Sequence, residues 1–237
     1  MPLSSFAQWL NTAFADFDYA ILKFYHSLAE SASAFFNPIA EFFSFIGDGS
    51  MFGFILAAVF ILFAKTRKAG ICMALSVGIG ALFTNVAIKN FVARPRPYAS
   101  GSSEFILWWQ FVGEHSHSEY SFPSGHTTAA MAAMTAMCLC LCLENKKLRL
   151  ISVPAALYVI IMGAARNYLL VHYPSDIIGG IAVGAVAAIA AYLLISFLFK
   201  GLEGNRDSKV CAFILDADIR NLKTKKASLL WVRIRDF

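Results

Sequence analysis

An all-α bundle of membrane helices is the fold this sequence predicts, and three observations carry that expectation. Hydrophobic residues make up 58% of the 237 positions and charged residues only 15%, with a mean hydropathy of +0.62, far from the soluble average. The apolar residues come in runs close to the ~20 residues that take a helix across ~30 Å of hydrocarbon. Lys and Arg gather at the ends of those runs rather than inside them.

In chain order, Phe17, Ile21, Phe24, Tyr25 and Leu28 recur at helical spacing with Asp18, Lys23, His26 and Glu30 between them, the pattern of an amphipathic helix. It either rests in the membrane interface or joins the bundle as a sixth, partly polar helix. Burying four ionisable groups in lipid is costly, which favours the interface. The first residues lack a basic stretch followed by an apolar one, so no cleavable signal is predicted and this helix stays in the mature chain. A turn at Gly47-Asp48-Gly49-Ser50 then leads into five spans, at about 47–64, 69–88, 127–143, 151–171 and 177–199. One membrane domain over 1–200 and a basic tail over 201–237 follow, the tail with a late Leu229-Leu230-Trp231-Val232 cluster suited to resting on anionic lipid.

Orientation comes from short basic loops. Lys65, Arg67 and Lys68 follow the first span, and Lys146, Lys147 and Arg149 follow the third; the positive-inside tendency makes both cytoplasmic. Parity then places the tail in the cytoplasm and gathers three chemically distinctive clusters on the outer side. Lys89, Arg94 and Arg96 violate the positive-inside tendency there, so function explains them better than topology.

The first cluster runs from Lys89 to Arg96-Pro97, where prolines 95 and 97 hold the chain extended and keep two cations near each other. Lys and Arg together suit a phosphoryl dianion, although snorkelling at a helix end would also place them there. In the second cluster, Pro123-Ser124-Gly125-His126 opens a helix whose first N–H groups form an anion site. Ser124 can donate its hydroxyl, Gly125 admits close backbone approach and His126 can carry a proton; a plain Ser-capped helix start is the alternative. The third places Arg166 near a helix end, His172 six residues on, and Asp176 in the first turn of the helix begun by Pro174. Asp176 can accept Nδ1–H from His172 and leave Nε2 nucleophilic, or it can simply complement the helix dipole.

Read together, Lys-x6-Arg-Pro, Pro-Ser-Gly-His and Arg-x5-His-x3-Asp resemble the type 2 phosphatidic acid phosphatase (PAP2) and vanadium haloperoxidase superfamily, over a motif core of about 47–199. Ala165 departs from the pattern, standing where that family usually has Ser. The resemblance implies His172 as the nucleophile that forms a phosphohistidine, Asp176 orienting it, and His126 protonating the leaving oxygen. It also implies Lys89, Arg96, Ser124, Gly125 and Arg166 as the phosphate cradle, with no cofactor and no metal. A loose phosphoryl transition state needs mainly positioning and distributed positive charge, which such a set supplies.

Several other readings are weaker. The net charge of +5 does not imply nucleic acid, because the cations are not interleaved with aromatics on one soluble face. Glu114, His115, His117 and Glu119 form one short cluster without a full set of metal ligands. Cys138, Cys140 and Cys142 step by two, so the three do not share one helix face; they read as small buried hydrophobes. Trp108, Trp109 and Phe111 read as an interfacial aromatic belt. Arg94, outside the motif positions, is an extra cation available to a second phosphate or to lipid headgroups. A transporter would carry polar groups near the midplane, a haloperoxidase would be soluble, and a non-catalytic protein binding phosphorylated lipids would not need His126, His172 and Asp176 together. The expected partner is therefore a membrane lipid phosphate: phosphatidic acid, phosphatidylglycerophosphate or a polyprenyl diphosphate.

Overall fold

The computed structural model describes residues 3–115, 120–143 and 145–221, and these are helical, with no strand among the described residues. Helices α1 (Ser5–Ala13) and α2 (Ala15–Gly47) are followed by a 3-10 turn at Asp48–Ser50 and α3 (Met51–Ile61). Helix α4 (Arg67–Ala81) continues through a π-helical turn (Leu82–Ile88) into α5 (Lys89–Val92), and a connection carrying α6 (Ser103–Phe111) leads to α7 (Gly125–Cys142). Helices α8 (Ser152–Tyr168), α9 (Pro174–Gly204) and α10 (Lys209–Asp216) complete the order.

Among the described residues, five helical stretches are long and apolar enough to cross a membrane: Ala15–Ile61, Arg67–Ala99, Gly125–Cys142, Lys146–Tyr168 and Pro174–Gly204. Four match the spans expected at 69–88, 127–143, 151–171 and 177–199. The first differs. Helix α3 has only 11 residues, roughly 16 Å at the α-helical rise, and is too short to cross alone. Residues 33–47 of α2 complete the crossing, joined to α3 through the turn at Asp48–Ser50. Helix α2 is itself broken at Ala32, whose φ/ψ of −155°/43° is not helical, and carries Pro38 beyond the break. The amphipathic stretch is thus the first half of α2, and its second half belongs to the bundle.

Helix α7 is the innermost, packed against α4, α8 and α9. Small residues make that possible: Ala129, Ala132, Ala133 and Ala136 on α7 share a buried cluster with Ala187, Ala188 and Ala191 on α9. With lipid outside, no hydrophobic drive separates helix from helix, and close backbone contact supplies the packing energy. Gly180 and Gly184 show how close it is. A Cβ at Gly184 would lie 2.6 Å from the Thr128 carbonyl oxygen, and one at Gly180 would lie 2.8 Å from that of Ser124. These two glycines seat the start of α7 against α9. Large apolar side chains on the rim, among them Phe91, Ile160, Val186 and Phe197, are exposed, as lipid-facing positions are.

At one end of the bundle the first half of α2 lies across α6 and the α8–α9 turn. Leu22, Trp108, Leu170 and Tyr173 form a cluster there, and His26 stacks on Trp108 with ring centroids 4.7 Å apart. Trp109 stacks on Tyr98 and donates Nε1–H to the His115 carbonyl. Trp108 therefore fastens the amphipathic helix to the bundle, while Trp109 ties α6 to the segments on either side of it; Phe111 remains exposed. At the opposite end Arg67 donates to the carbonyls of Ile214 and Ala217, and Asp218 accepts from the Ala64 N–H, docking the start of the tail. The Leu229–Val232 cluster lies outside the described residues.

Candidate active site

All three sequence clusters arrive at one end of the bundle, around a cavity of about 210 Å³ lined by Lys89, Arg96, Gly125, His126, Arg166 and His172. Its remaining wall consists of Gly47, Gly49, Ser50, Ala81 and Asn85. Local backbone features aim these groups. Ala93 takes a left-handed φ of 52° and ends α5, which turns Arg94-Pro95-Arg96 back over the bundle. Leu170, at φ 53°, reverses the chain between α8 and α9 so that His172 points beneath. Each such non-glycine residue costs roughly 1–2 kcal/mol, a strain that surrounding structure has to hold at functional sites.

His172 is 2% exposed. Its Nε2 lies 3.3 Å from Nη1 of Arg96, which also donates to the Val171 carbonyl at 2.7 Å. A guanidinium has no lone pair to offer, so Nε2 is the accepting nitrogen and the ring proton sits on Nδ1. Nδ1 faces Asp176 Oδ2 at 3.6 Å, too long for a hydrogen bond. Asp176 Oδ2 instead accepts the Tyr173 N–H at 2.9 Å and Oδ1 accepts from Arg94 at 2.7 Å. Burial, followed by the positive fields of Arg96, Arg166, His126 and Lys89, holds the His172 imidazole well below its ordinary titration range. At neutral pH it is an uncharged base with a free pair on Nε2.

His126 stands across the cavity, with Nε2 3.0 Å from Asp48 Oδ1 and 3.2 Å from the Ser44 carbonyl. Arg166 donates Nη1–H to Ser44 Oγ. Ser44, Gly47 and Asp48 thus support two site residues, and sequence reasoning missed them. Their only signal was the Gly47–Ser50 turn, read there as a simple helix boundary. Asn85 was missed as well; the π-helical turn carries this amide to the cavity in a stretch whose neighbours Leu82, Phe83 and Val86 are exposed apolar residues, and such turns recur at functional sites.

Three expectations change. Ser124 is fully buried and its Oγ accepts from the N–H and the hydroxyl of Thr127; it caps α7 and does not line the cavity, whereas Gly125 does. Arg94 is 1% exposed and bonded to Asn11, Asp18, Ser175 and Asp176, so it is available neither to a second phosphate nor to headgroups. Ala165 sits in an apolar cluster with Ala29 and Ala40 of α2 and lines no part of the cavity. His115 lies 3.3 Å from Glu41; His117 and Glu119 fall outside the described residues. Cys140 is buried, while Cys138 and Cys142 are partly buried.

Fixed cations, a helix N-terminus and two imidazoles around one small cavity favour an oxyanion whose charge is spread over several oxygens. This defines a multi-pass membrane protein of the phosphoryl-transfer class. The family model described as PAP2 superfamily matches residues 69–200, and the chain belongs to that superfamily. Undecaprenyl-diphosphatase BcrC of Bacillus subtilis (strain 168) is 26% identical over 184 residues, 77% of this chain and 82% of the relative. Phosphatidylglycerophosphatase B of the same organism is 28% identical over 153 residues, 63% of this chain and 64% of the relative. The crystal structure of a transmembrane PAP2 type phosphatidylglycerolphosphate phosphatase from Bacillus subtilis shares the fold, with a TM-score of 0.61, 22% identity, and coverage of 83% of this chain and 91% of that one. This protein is a membrane lipid phosphatase of PAP2 type.

Proposed function

We propose that the protein removes the terminal phosphate of a membrane lipid phosphate through a phosphohistidine on His172. The observation that carries this reading is the setting of His172: a buried, uncharged ring whose Nε2 faces the cations of the cavity and whose Nδ1–H faces a buried carboxylate. Lys89, Arg96, Arg166 and the N–H groups at the start of α7 hold the phosphoryl oxygens, Arg96 moving from Nε2 to the incoming oxygen. Ser124 fixes the helix end that presents those N–H groups. Nε2 of His172 attacks phosphorus, the phosphorus–oxygen bond to the lipid breaks, and His126 gives its proton to the departing oxygen. Asp176 offsets the charge that develops on His172. Water then attacks the phosphohistidine, His126 takes its proton, and inorganic phosphate and free His172 result.

A polyprenyl diphosphate is the substrate this reading puts first, supported by the similarity to undecaprenyl-diphosphatase BcrC; phosphatidylglycerophosphate stands second, supported by the similarity to phosphatidylglycerophosphatase B. With Arg94 sequestered, no additional cation marks a second phosphate subsite among the described residues, so the choice rests on similarity and not on charge count. The cavity opens on the outer membrane face and the tail lies in the cytoplasm, supported by the basic residues 65–68 and 146–149 at the opposite end of the bundle. Residues 1–200 act as the catalytic unit and 201–237 as a cytoplasmic tail.

The test is phosphate release by purified protein in detergent from undecaprenyl diphosphate, phosphatidylglycerophosphate and phosphatidic acid, with His172→Ala as the blank. Loss of release in a folded His172→Ala protein is expected, and turnover by that variant would overturn the phosphohistidine. Failure of the parent protein to hydrolyse any of the three would instead favour a protein that only binds phosphorylated lipids.

A further inference from the structure

Behind Asp176, on the side away from the cavity, lies a buried charge cluster that the reaction as described does not use. Arg94 Nη1 donates to Asp176 Oδ1 and to Ser175 Oγ, each at 2.7 Å, and its Nη2 donates to Asp18 Oδ2 at 2.9 Å. Asp18, 3% exposed on the N-terminal helix, also accepts the Ser175 N–H at 2.8 Å and the Ser175 hydroxyl at 2.6 Å. The guanidinium lies over the Tyr173 ring at 3.9 Å and is bonded to Asn11 on its remaining edge.

We infer that Asp18 and Arg94 are positioning residues for the reaction, setting both the place and the charge of the carboxylate that faces His172. This rests on the phosphohistidine reading above. Arg94 alone would fix Asp176 but cancel its charge, leaving a neutral pair behind an imidazole that becomes positive as Nε2 bonds to phosphorus. Asp18 restores one negative charge to the cluster. Two buried carboxylates sharing one guanidinium keep a net charge of −1 facing His172, while every carboxylate oxygen bonds a donor, as a buried ion needs. The amphipathic N-terminal helix is therefore part of the catalytic apparatus, although neither Asp18 nor Arg94 lines the cavity.

The charge can be tested without disturbing the packing. Asp18→Asn is isosteric and removes the charge; its one carbonyl oxygen can keep the bonds from Arg94 and the Ser175 hydroxyl, while its NH2 replaces the acceptor of the Ser175 N–H. It is expected to lower kcat at least about tenfold with KM within about threefold, in keeping with the strength of hydrogen bonds to charged groups. Asn11→Ala removes a bond to the same guanidinium without changing charge and should leave kcat within about threefold. The double variant Asp18→Asn/Arg94→Gln restores the net charge of −1 on Asp176 and should recover part of the kcat lost in Asp18→Asn, a coupling that loss of packing would not produce.

Retention of kcat within twofold in Asp18→Asn, an equal loss in Asn11→Ala, or a double variant slower than either single variant would each overturn the inference. Should Asp18→Asn not fold, Arg94→Lys tests the placement of Asp176 instead, because it keeps the charge but not the fork that spans four partners. A fall in kcat at constant KM supports the inference and unchanged kcat sinks it. Activity in His172→Ala would remove the underlying reading; an inactive His172→Ala beside a fully active Asp18→Asn would remove this inference alone.

Discussion

Adding one methyl group at Gly47 tests how closely the first crossing supports the catalytic ring. A Cβ there would lie 2.6 Å from Cδ2 of His126 and 2.8 Å from the Met162 terminal methyl, whereas carbon atoms rest near ~3.5–4.0 Å. Met162 is flexible and can yield, but His126 is held by Asp48 and the Ser44 carbonyl, so the ring must move by an appreciable part of an ångström. Gly47 is helical, with φ −83° and ψ −15°, where Ala is favoured over Gly by roughly 0.5–1 kcal/mol. Overpacking costs about 1–3 kcal/mol, so the net loss of stability in Gly47→Ala should be small, between about zero and 2.5 kcal/mol by those same ranges. The catalytic effect should be larger, because a displacement of about 1 Å can cost on the order of a hundredfold in rate. The expected result is kcat lowered by roughly ten- to a hundredfold with the melting transition in detergent lowered by no more than about 10 °C, at about 2–4 °C per kcal/mol for a chain of this size. Gly78→Ala, where a Cβ meets nothing within 4 Å, is the control and should be fully active. A Gly47→Ala protein with kcat within twofold of the parent would show that the ring is not confined by this wall, and the reasoning would fail.

Asp48→Asn keeps the shape of the His126 support but removes its charge; about a tenfold loss in kcat is expected, less than the roughly hundredfold or more that loss of the acid–base group itself would cost, measured as phosphate release. Nitrogen-15 NMR of ring-labelled protein at about pH 6 should show His172 neutral with its proton on Nδ1, since its folded titration lies below the ordinary ~6.5. Protonation is the disfavoured form in the fold, so the charged ring should appear only as pH falls further, and an imidazolium at that pH would contradict the geometry. Ala165→Ser should leave kcat within about twofold, because the position packs against α2 and an added hydroxyl can bond the carbonyl four residues back. An increase of fivefold or more would show that this position faces the phosphate.

The bundle was legible because its signals are local and one-dimensional. Run length, and cations at run ends, are enough to find helices in lipid, and four of five spans followed from them. The chemical clusters were legible for the same reason, since Lys89 to Arg96, Ser124 to His126 and Arg166 to Asp176 are short stretches whose spacing survives without a structure. What could not be read is pairing between distant segments. Asp18 looked like a polar residue on a solvated helix face, yet it crosses to Arg94 and Ser175. Arg94 looked like a spare cation because the sequence does not say that a guanidinium faces away from its neighbour Arg96; the left-handed Ala93 decides that. The apolar run at 47–64 hid a break at the depth of the cavity, since hydropathy is indifferent to a 3-10 turn that lines a polar space.

The turn between α8 and α9 has a consequence for how this enzyme can be changed. Arg166, His172 and Asp176 lie within a single helical hairpin, so the proposed nucleophile, its cation and its carboxylate travel together as one piece of chain. The support for His126, the proposed proton donor, comes from Ser44, Gly47 and Asp48, on a crossing more than a hundred residues earlier. In the proposed mechanism, proton delivery to the leaving oxygen can therefore be retuned, for a leaving group of different basicity, by altering the first crossing while the hairpin that carries His172 stays untouched.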